Sequence, residues 1–143
     1  TYSYNLVDHE TGVDDQVTSS ASAITAYIES SEFDLEDGDK FALIRRIMPD
    51  IDFNGSSADS PVASFTINPL TSSGSGYKST TSEGGVSTGT VTRSATSPVE
   101  KYTNQIHTRV RGRQISLKVQ SSGVGTTWQL GNPRIDISPD VRR

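Results

Sequence analysis

The chain of 143 residues has no cysteine, which excludes a disulfide framework, a thiol nucleophile and any thiolate-held metal. It suits a reducing compartment, and equally any protein assembled in the cytoplasm. Apolar residues are scarce at 31%, and no apolar run approaches the roughly 18 residues of a membrane-spanning helix, so no membrane partner is expected. The first residues lack the basic-then-apolar layout of a signal peptide. The chain opens on Thr1 rather than Met, as a processed or excised part of something longer would. Histidine is limited to His9 and His107, far apart in sequence. A tight metal site would need both to converge with acids, so neither a metal nor a cofactor is expected.

Serine, threonine and glycine are abundant instead. At this length the chain is expected to form one domain with a real core. A low apolar share still suffices for a half-solvated sheet, because only every second strand residue need be apolar. Helical signals are weak. The best candidate, Gln16 to Tyr27, is too rich in Ser, Thr and β-branched residues.

The stretch from Tyr102 to Asp140 organises the rest. It reads as two long strands, each interrupted by glycine and joined at Ser121-Ser122-Gly123. Ile106, Thr108 and Val110 share one parity; Ile115, Leu117 and Val119 share the other. Side chains alternate along a strand, so a bulge or tight turn at Gly112 is needed to restore one buried face. The second strand repeats the device, with Trp128 and Leu130 even, Ile135 and Ile137 odd, and Gly131-Asn132-Pro133 between them.

Upstream, residues 1–21 read as a polar arm or edge strand and 22–143 as the β domain. Ile24 to Ile28 is the first firm strand, followed by a bulge at Ser30-Ser31 and then Phe33 and Leu35. Phe41, Leu43, Ile47, Ile51 and Phe53 all fall on odd positions of a central strand, and Pro49 marks a bulge or edge. Asn54-Gly55 begins a turn, and Val62 to Ile67 returns. Residues 71–97 are read as a long mobile loop with one short strand near Thr88 to Arg93, because so polar a stretch buries too little to offset its ordering entropy. The expected fold is all-β: an antiparallel sandwich or barrel-like domain with long Ser/Thr/Gly-rich loops. Its core is expected to draw on Ile28, Phe41, Leu43, Ile47, Phe65, Ile67, Leu117, Val119, Trp128, Leu130 and Ile135.

Net charge is −4, but the signs are segregated. The first 60 residues carry most of the acids; from Glu100 onward Lys101, Arg109, Arg111, Arg113, Lys118, Arg134, Arg142 and Arg143 dominate. Complementary ends suit contacts between copies, and equally a solvated surface that keeps the chain soluble. The candidate interface pairs Arg109, Arg111, Arg113 and Arg134 with Asp34, Glu36, Asp37 and Asp39. Alternation sets Arg109 and Arg111 on one face as a stripe able to meet phosphate or carboxylate. Pairing with the acidic first half, within one subunit or across an interface, is the plainer reading, because the stripe lacks interleaved exposed aromatics.

No motif carries catalysis. Asp34-Leu-Glu-Asp-Gly-Asp39 fails calcium-loop spacing, since the first and last ligand positions would fall on Phe33 and Ile44, and it reads as a solvated turn. There is no Gly-x-Ser-x-Gly elbow, and the glycines at 74, 76, 84 and 85 lack strand-to-helix context. Trp128 reads as a core anchor before a sugar-stacking platform. No enzyme is expected.

Two phrases resemble a known family. YIESSEFDLEDGDKFALIRRIMPDI, residues 27–51, is similar to a stretch of virion structural proteins from short-tailed bacteriophages. So are Glu100 to Thr103, RVRGRQ at 109–114, WQLG at 128–131 and PRID at 133–136 followed by Asp140, although Val141 stands where that family's pattern has glycine. The matching regions, within residues 27–51 and 100–140, span a little under half of the chain. The resemblance implies the C-terminal domain of a tail nozzle or stabilisation protein, assembled in the host cytoplasm and resident in the virion tail. Its implied partners are copies of itself, other tail or portal-vertex proteins, and genome DNA passing nearby without sequence-specific binding. The alternative is a tail-tip carbohydrate-binding module with Trp128, Tyr77 or Tyr102 as stacking platforms. A hydrolase of host envelope polymers is a weaker third reading, since most acids sit in turns.

Overall fold

The computed structural model describes residues 14, 21–34, 40–70, 80–83, 86–89 and 94–140. Among them there is no helix. The strands are β1 (Ala26–Glu29), β2 (Phe33–Asp34), β3 (Phe41–Met48), β4 (Ile51–Asp52), β5 (Val62–Leu70), β6 (Thr80–Glu83), β7 (Val86–Gly89), β8 (Ala95–Glu100), β9 (Ile106–Gly112), β10 (Gln114–Ser121), β11 (Gln129–Leu130) and β12 (Arg134–Asp140). All their pairings are antiparallel. The domain is all-β and sandwich-like, as its alternating apolar pattern predicts.

One sheet runs β1-β10-β5-β8, with β2 continuing along the same edge of β10 as β1. The other runs β12-β3-β9, and the short pair β11-β4 extends it. β6 and β7 form a separate hairpin. The two main sheets share one core: Ile44, Ile47, Ile106 and Val110 from one, Ala63, Phe65, Ile67, Val99, Ile115 and Val119 from the other. Leu117, Trp128, Leu130 and Ile135 pack against it while keeping some solvent contact. Phe65, Ile44 and Ile47 are among the largest fully buried side chains. Each is worth roughly 1.5–3 kcal/mol of transfer free energy.

Gly112 is the corner between sheets. β9 ends there in one sheet and β10 begins two residues later in the other, so the parity change read from the sequence is a change of sheet. A Cβ at Gly112 would lie 2.8 Å from Pro69 Cβ and 3.1 Å from the Leu70 carbonyl oxygen. The next amide, Arg113 N–H, donates to that same oxygen at 2.7 Å. The second glycine device is a bulge within one long pair. Met48 faces Arg134 and Ile51 faces Leu130, so Pro49-Asp50 lies opposite the three residues Gly131-Asn132-Pro133. The Gly131 and Asn132 amides donate to the Asp50 carbonyl and carboxylate at 2.7 and 2.8 Å. The bulge expected near Ser30-Ser31 is also present, since the register with β10 shifts by one between Glu29 and Phe33. The expected turn at Asn54-Gly55 closes with Ser56 N–H donating to the Phe53 carbonyl, Gly55 taking φ 89°.

Three expectations are corrected. Ile28 faces the core side opposite Val119 yet is 52% exposed, because β1 is an edge strand beyond the opposite sheet's cover. Phe41 and Leu43 are only half-buried, while Ala42 and Ile44 fill the core. The cause is a bulge at Arg45. Ile44 pairs with Ile137 but Arg46 with Asp136, leaving Arg45 as the extra residue, so inward parity switches from even at Ile44 to odd at Ile47. The loop expected over 71–97 extends too far: Ala95, Thr96 and Ser97 belong to β8, paired with Ile67, Thr66 and Phe65. Val86–Gly89 is paired with Thr80–Glu83 as a hairpin. Residues 71–79, 84–85 and 90–93 of that loop lie outside the described residues, as does the arm over 1–21 apart from Asp14 and Ala21.

Candidate functional site

Directly paired strand residues project from the same side of a sheet. Because Ile44, Ile47, Ile106 and Val110 point inward, their neighbours define the outer face of the β12-β3-β9 sheet. Leu43 pairs with Arg111 and Ser138; Arg46 pairs with His107 and Asp136; Met48 pairs with Arg134; Phe41 pairs with Asp140. Arg45 is turned out by its bulge and lines an open depression of about 480 Å³ with Leu43, Arg109, Arg111 and Asp140. A guanidinium-rich surface on a partly apolar floor results.

Two of its arginines are tied down internally. Arg111 Nε lies 2.5 Å from Asp140 Oδ2, a close charge contact. Its guanidinium carbon also sits 4.2 Å from the centre of the Phe41 ring, and that of Arg113 sits 5.2 Å from it. Arg46 Nη2 reaches Asp136 Oδ2 at 3.4 Å. Arg45 and Arg109 are exposed and take no carboxylate partner among the described residues.

The structure therefore gathers Arg109 and Arg111 as alternation predicts, with Arg134 on the same face toward Met48. Among the described residues, the acids that meet this face, Asp136 and Asp140, stand on β12 and not in the first half of the chain. Asp34 is exposed on β2, opposite Gln114 on the other sheet. Glu36, Asp37 and Asp39 lie outside the described residues. Arg45 is the residue that sequence reasoning missed as a member of the site. Strict alternation already places it beside Leu43, but only its removal from the pairing shows that it and Arg46 can both face outward.

Of the aromatic candidates, Trp128 is half-buried against the core, and its indole N–H donates to Ser121 Oγ at 2.8 Å. Tyr102 is 85% exposed in the turn where Thr103 N–H meets the Glu100 carbonyl. Tyr77 lies outside the described residues. The outer face of the other sheet is a contrast. Ser64, Thr66, Asn68, Tyr27 and Gln120 dominate it, Lys118 stands opposite Glu29, and the Thr66 and Thr96 hydroxyls are hydrogen-bonded at 2.9 Å. Among the described residues no group of three or more His, Asp or Glu side chains could hold a metal ion, and no helix is long and apolar enough to cross a membrane.

Comparison with protein-family models, with curated proteins and with solved structures finds no match to this chain.

Proposed function

We propose that this chain is a structural subunit of a bacteriophage tail, of the nozzle or stabilisation type, that assembles with copies of itself in the host cytoplasm and remains in the virion. Its work is mechanical, not catalytic. The observation that carries this reading is the asymmetry of the sandwich: one outer face hydroxyl-rich, with Lys118 among the acids Glu29, Asp34 and Glu100, the other crowded with Arg45, Arg46, Arg109, Arg111 and Arg134. Like charges gathered on one sheet repel one another, and an anionic neighbour relieves that cost. The resemblance of residues 27–51 and 100–140 to tail proteins supplies the setting, and the acids of the first half suit contacts with the basic half of the next copy or with other tail proteins. No cofactor takes part in this reading.

The test is the mass of the protein in solution across a salt series. A closed multiple of the 15.4 kDa chain that dissociates as salt rises supports a subunit held by screened charge contacts. If the combined Arg111→Glu and Arg113→Glu change leaves that assembly untouched, the basic half is not the contact between copies. The carbohydrate-binding alternative rests on Tyr102, the one candidate platform widely exposed among the described residues. Tyr102→Ala would then abolish retention on a sugar-bearing matrix.

A further inference from the structure

The depression lined by Arg45 and Arg109 differs from the rest of the basic half: both side chains are exposed and form no ion pair among the described residues, while the one carboxylate that lines it, Asp140, is engaged by Arg111. We propose that it is a contact for the phosphodiester backbone of double-stranded nucleic acid, made without reading bases. This rests on the subunit reading above only for its setting; the site itself is argued from geometry.

The bulge at Arg45 adds one residue to β3 relative to β12, while two β9 residues, Thr108 and Arg109, lie between the pairings of Arg46 with His107 and Ile44 with Val110. Both irregularities fall at the same level of the sheet. They bring Arg45 and Arg109 to the rim of one open hollow whose floor is Leu43. Arg111 follows Arg109 two residues along the strand, about 7 Å away along the backbone. Asp140 and the Phe41 ring restrain it, so it forms a wall and not a loose third arm. Guanidinium groups match phosphate oxygens through paired N–H donors.

Three features favour a duplex backbone over other anions. The site lies on the outer face of a sheet and is open, which suits a rod lying across it rather than a small ion enclosed by it. The aromatic ring beside it, Phe41, is half-buried and covered by Arg111 and Arg113, so single-stranded bases find no free ring to stack on there. The chain as a whole carries −4, so the arginines form a local exception able to touch a phosphate backbone without holding it tightly.

The experiment measures binding of the full chain to a fluorescent duplex of arbitrary sequence, about 30 base pairs long, by anisotropy, at about 50 and 200 mM salt. Two phosphate contacts per chain predict roughly a 12-fold loss of affinity over that interval. Arg45→Gln with Arg109→Gln should remove most of the binding at low salt and flatten the salt dependence. Arg45→Lys with Arg109→Lys keeps the charge and should retain the slope, which separates loss of the site from loss of the fold. Lys118→Gln, on the opposite sheet, should leave binding unchanged.

Absence of duplex binding, or equal losses from the glutamine pair and from Lys118→Gln, would overturn the proposal. A glutamate-rich peptide that displaces the duplex at lower concentration than unlabelled duplex would assign the site to an acidic protein surface instead. Solution mass of the glutamine pair separates the two ideas. Unchanged mass with lost duplex binding supports a nucleic-acid contact apart from assembly, whereas lost assembly with intact duplex binding makes these arginines a contact between copies.

Discussion

Gly112 lies directly against Pro69, with room for no side chain: a Cβ there would stand 2.8 Å from the Pro69 Cβ. The contact fixes the point at which the chain leaves one sheet for the other. Neither neighbour can retreat, since Pro69 lies within β5 and the Leu70 carbonyl is held by Arg113 N–H. Gly112→Ala is expected to cost about 1–3 kcal/mol, the usual penalty for overpacking a buried site. Chemical denaturation measures it, and a variant as stable as the parent would mean that this corner is not tightly packed.

The bulge at Arg45 is tested by a pair of truncations. Ile44→Ala should destabilise by about 2–5 kcal/mol, because Ile44 is fully buried, and half-buried Leu43→Ala should cost clearly less. A strand without the bulge, using strict odd parity, predicts the reverse order. Comparing the two midpoints decides between them.

Trp128 should behave as a core residue. Its emission is expected to be blue-shifted, weakly quenched by acrylamide and unchanged by added sugars. Ser121 is 4% exposed and accepts the indole N–H, so Ser121→Ala removes that acceptor and should cost about 1 kcal/mol in thermal or denaturant unfolding. Sugar-dependent quenching of Trp128 would point to the stacking role instead.

Arg111 contributes to the fold as well as to the basic face. Both it and Asp140 retain some solvent contact, with side chains 35% and 19% exposed, so screening limits the pair. A double-mutant cycle between Arg111→Ala and Asp140→Ala should give a coupling of about 0.5–1 kcal/mol, falling as salt is added. Coupling indistinguishable from zero at low salt would show that the contact is incidental.

Much of this architecture was legible from spacing. The corner at Gly112, the irregularity at Gly131-Asn132-Pro133, the extra residue after Glu29 and the turn at Asn54-Gly55 each follow from a parity change or a turn residue. The strand containing Phe41 and Ile47 misled for a definite reason. It is apolar on both parities as far as Met48, so hydrophobicity alone could not show where its inward face switched. Ile28 misled differently: its parity is right, but parity says nothing about how far the opposing sheet extends. The candidate site was half visible. Arg109 and Arg111 announced themselves by alternation, while the part played by Arg45 depended on two neighbouring strands being out of step at one level.

The amino-acid sequence by itself determined the all-β character, the places where strands had to break, and the segregation of acidic from basic residues, because each follows from local alternation, turn chemistry or composition. Only the tertiary structure decided which strands are neighbours and which acids meet which arginines. Those are long-range matters. Asp140 reaches Arg111, and Asp136 reaches Arg46, only because β12 and β9 flank β3. Arg45 and Arg109 stand on the same face without an ion pair among the described residues, because the carboxylate that shares their depression, Asp140, is taken by Arg111.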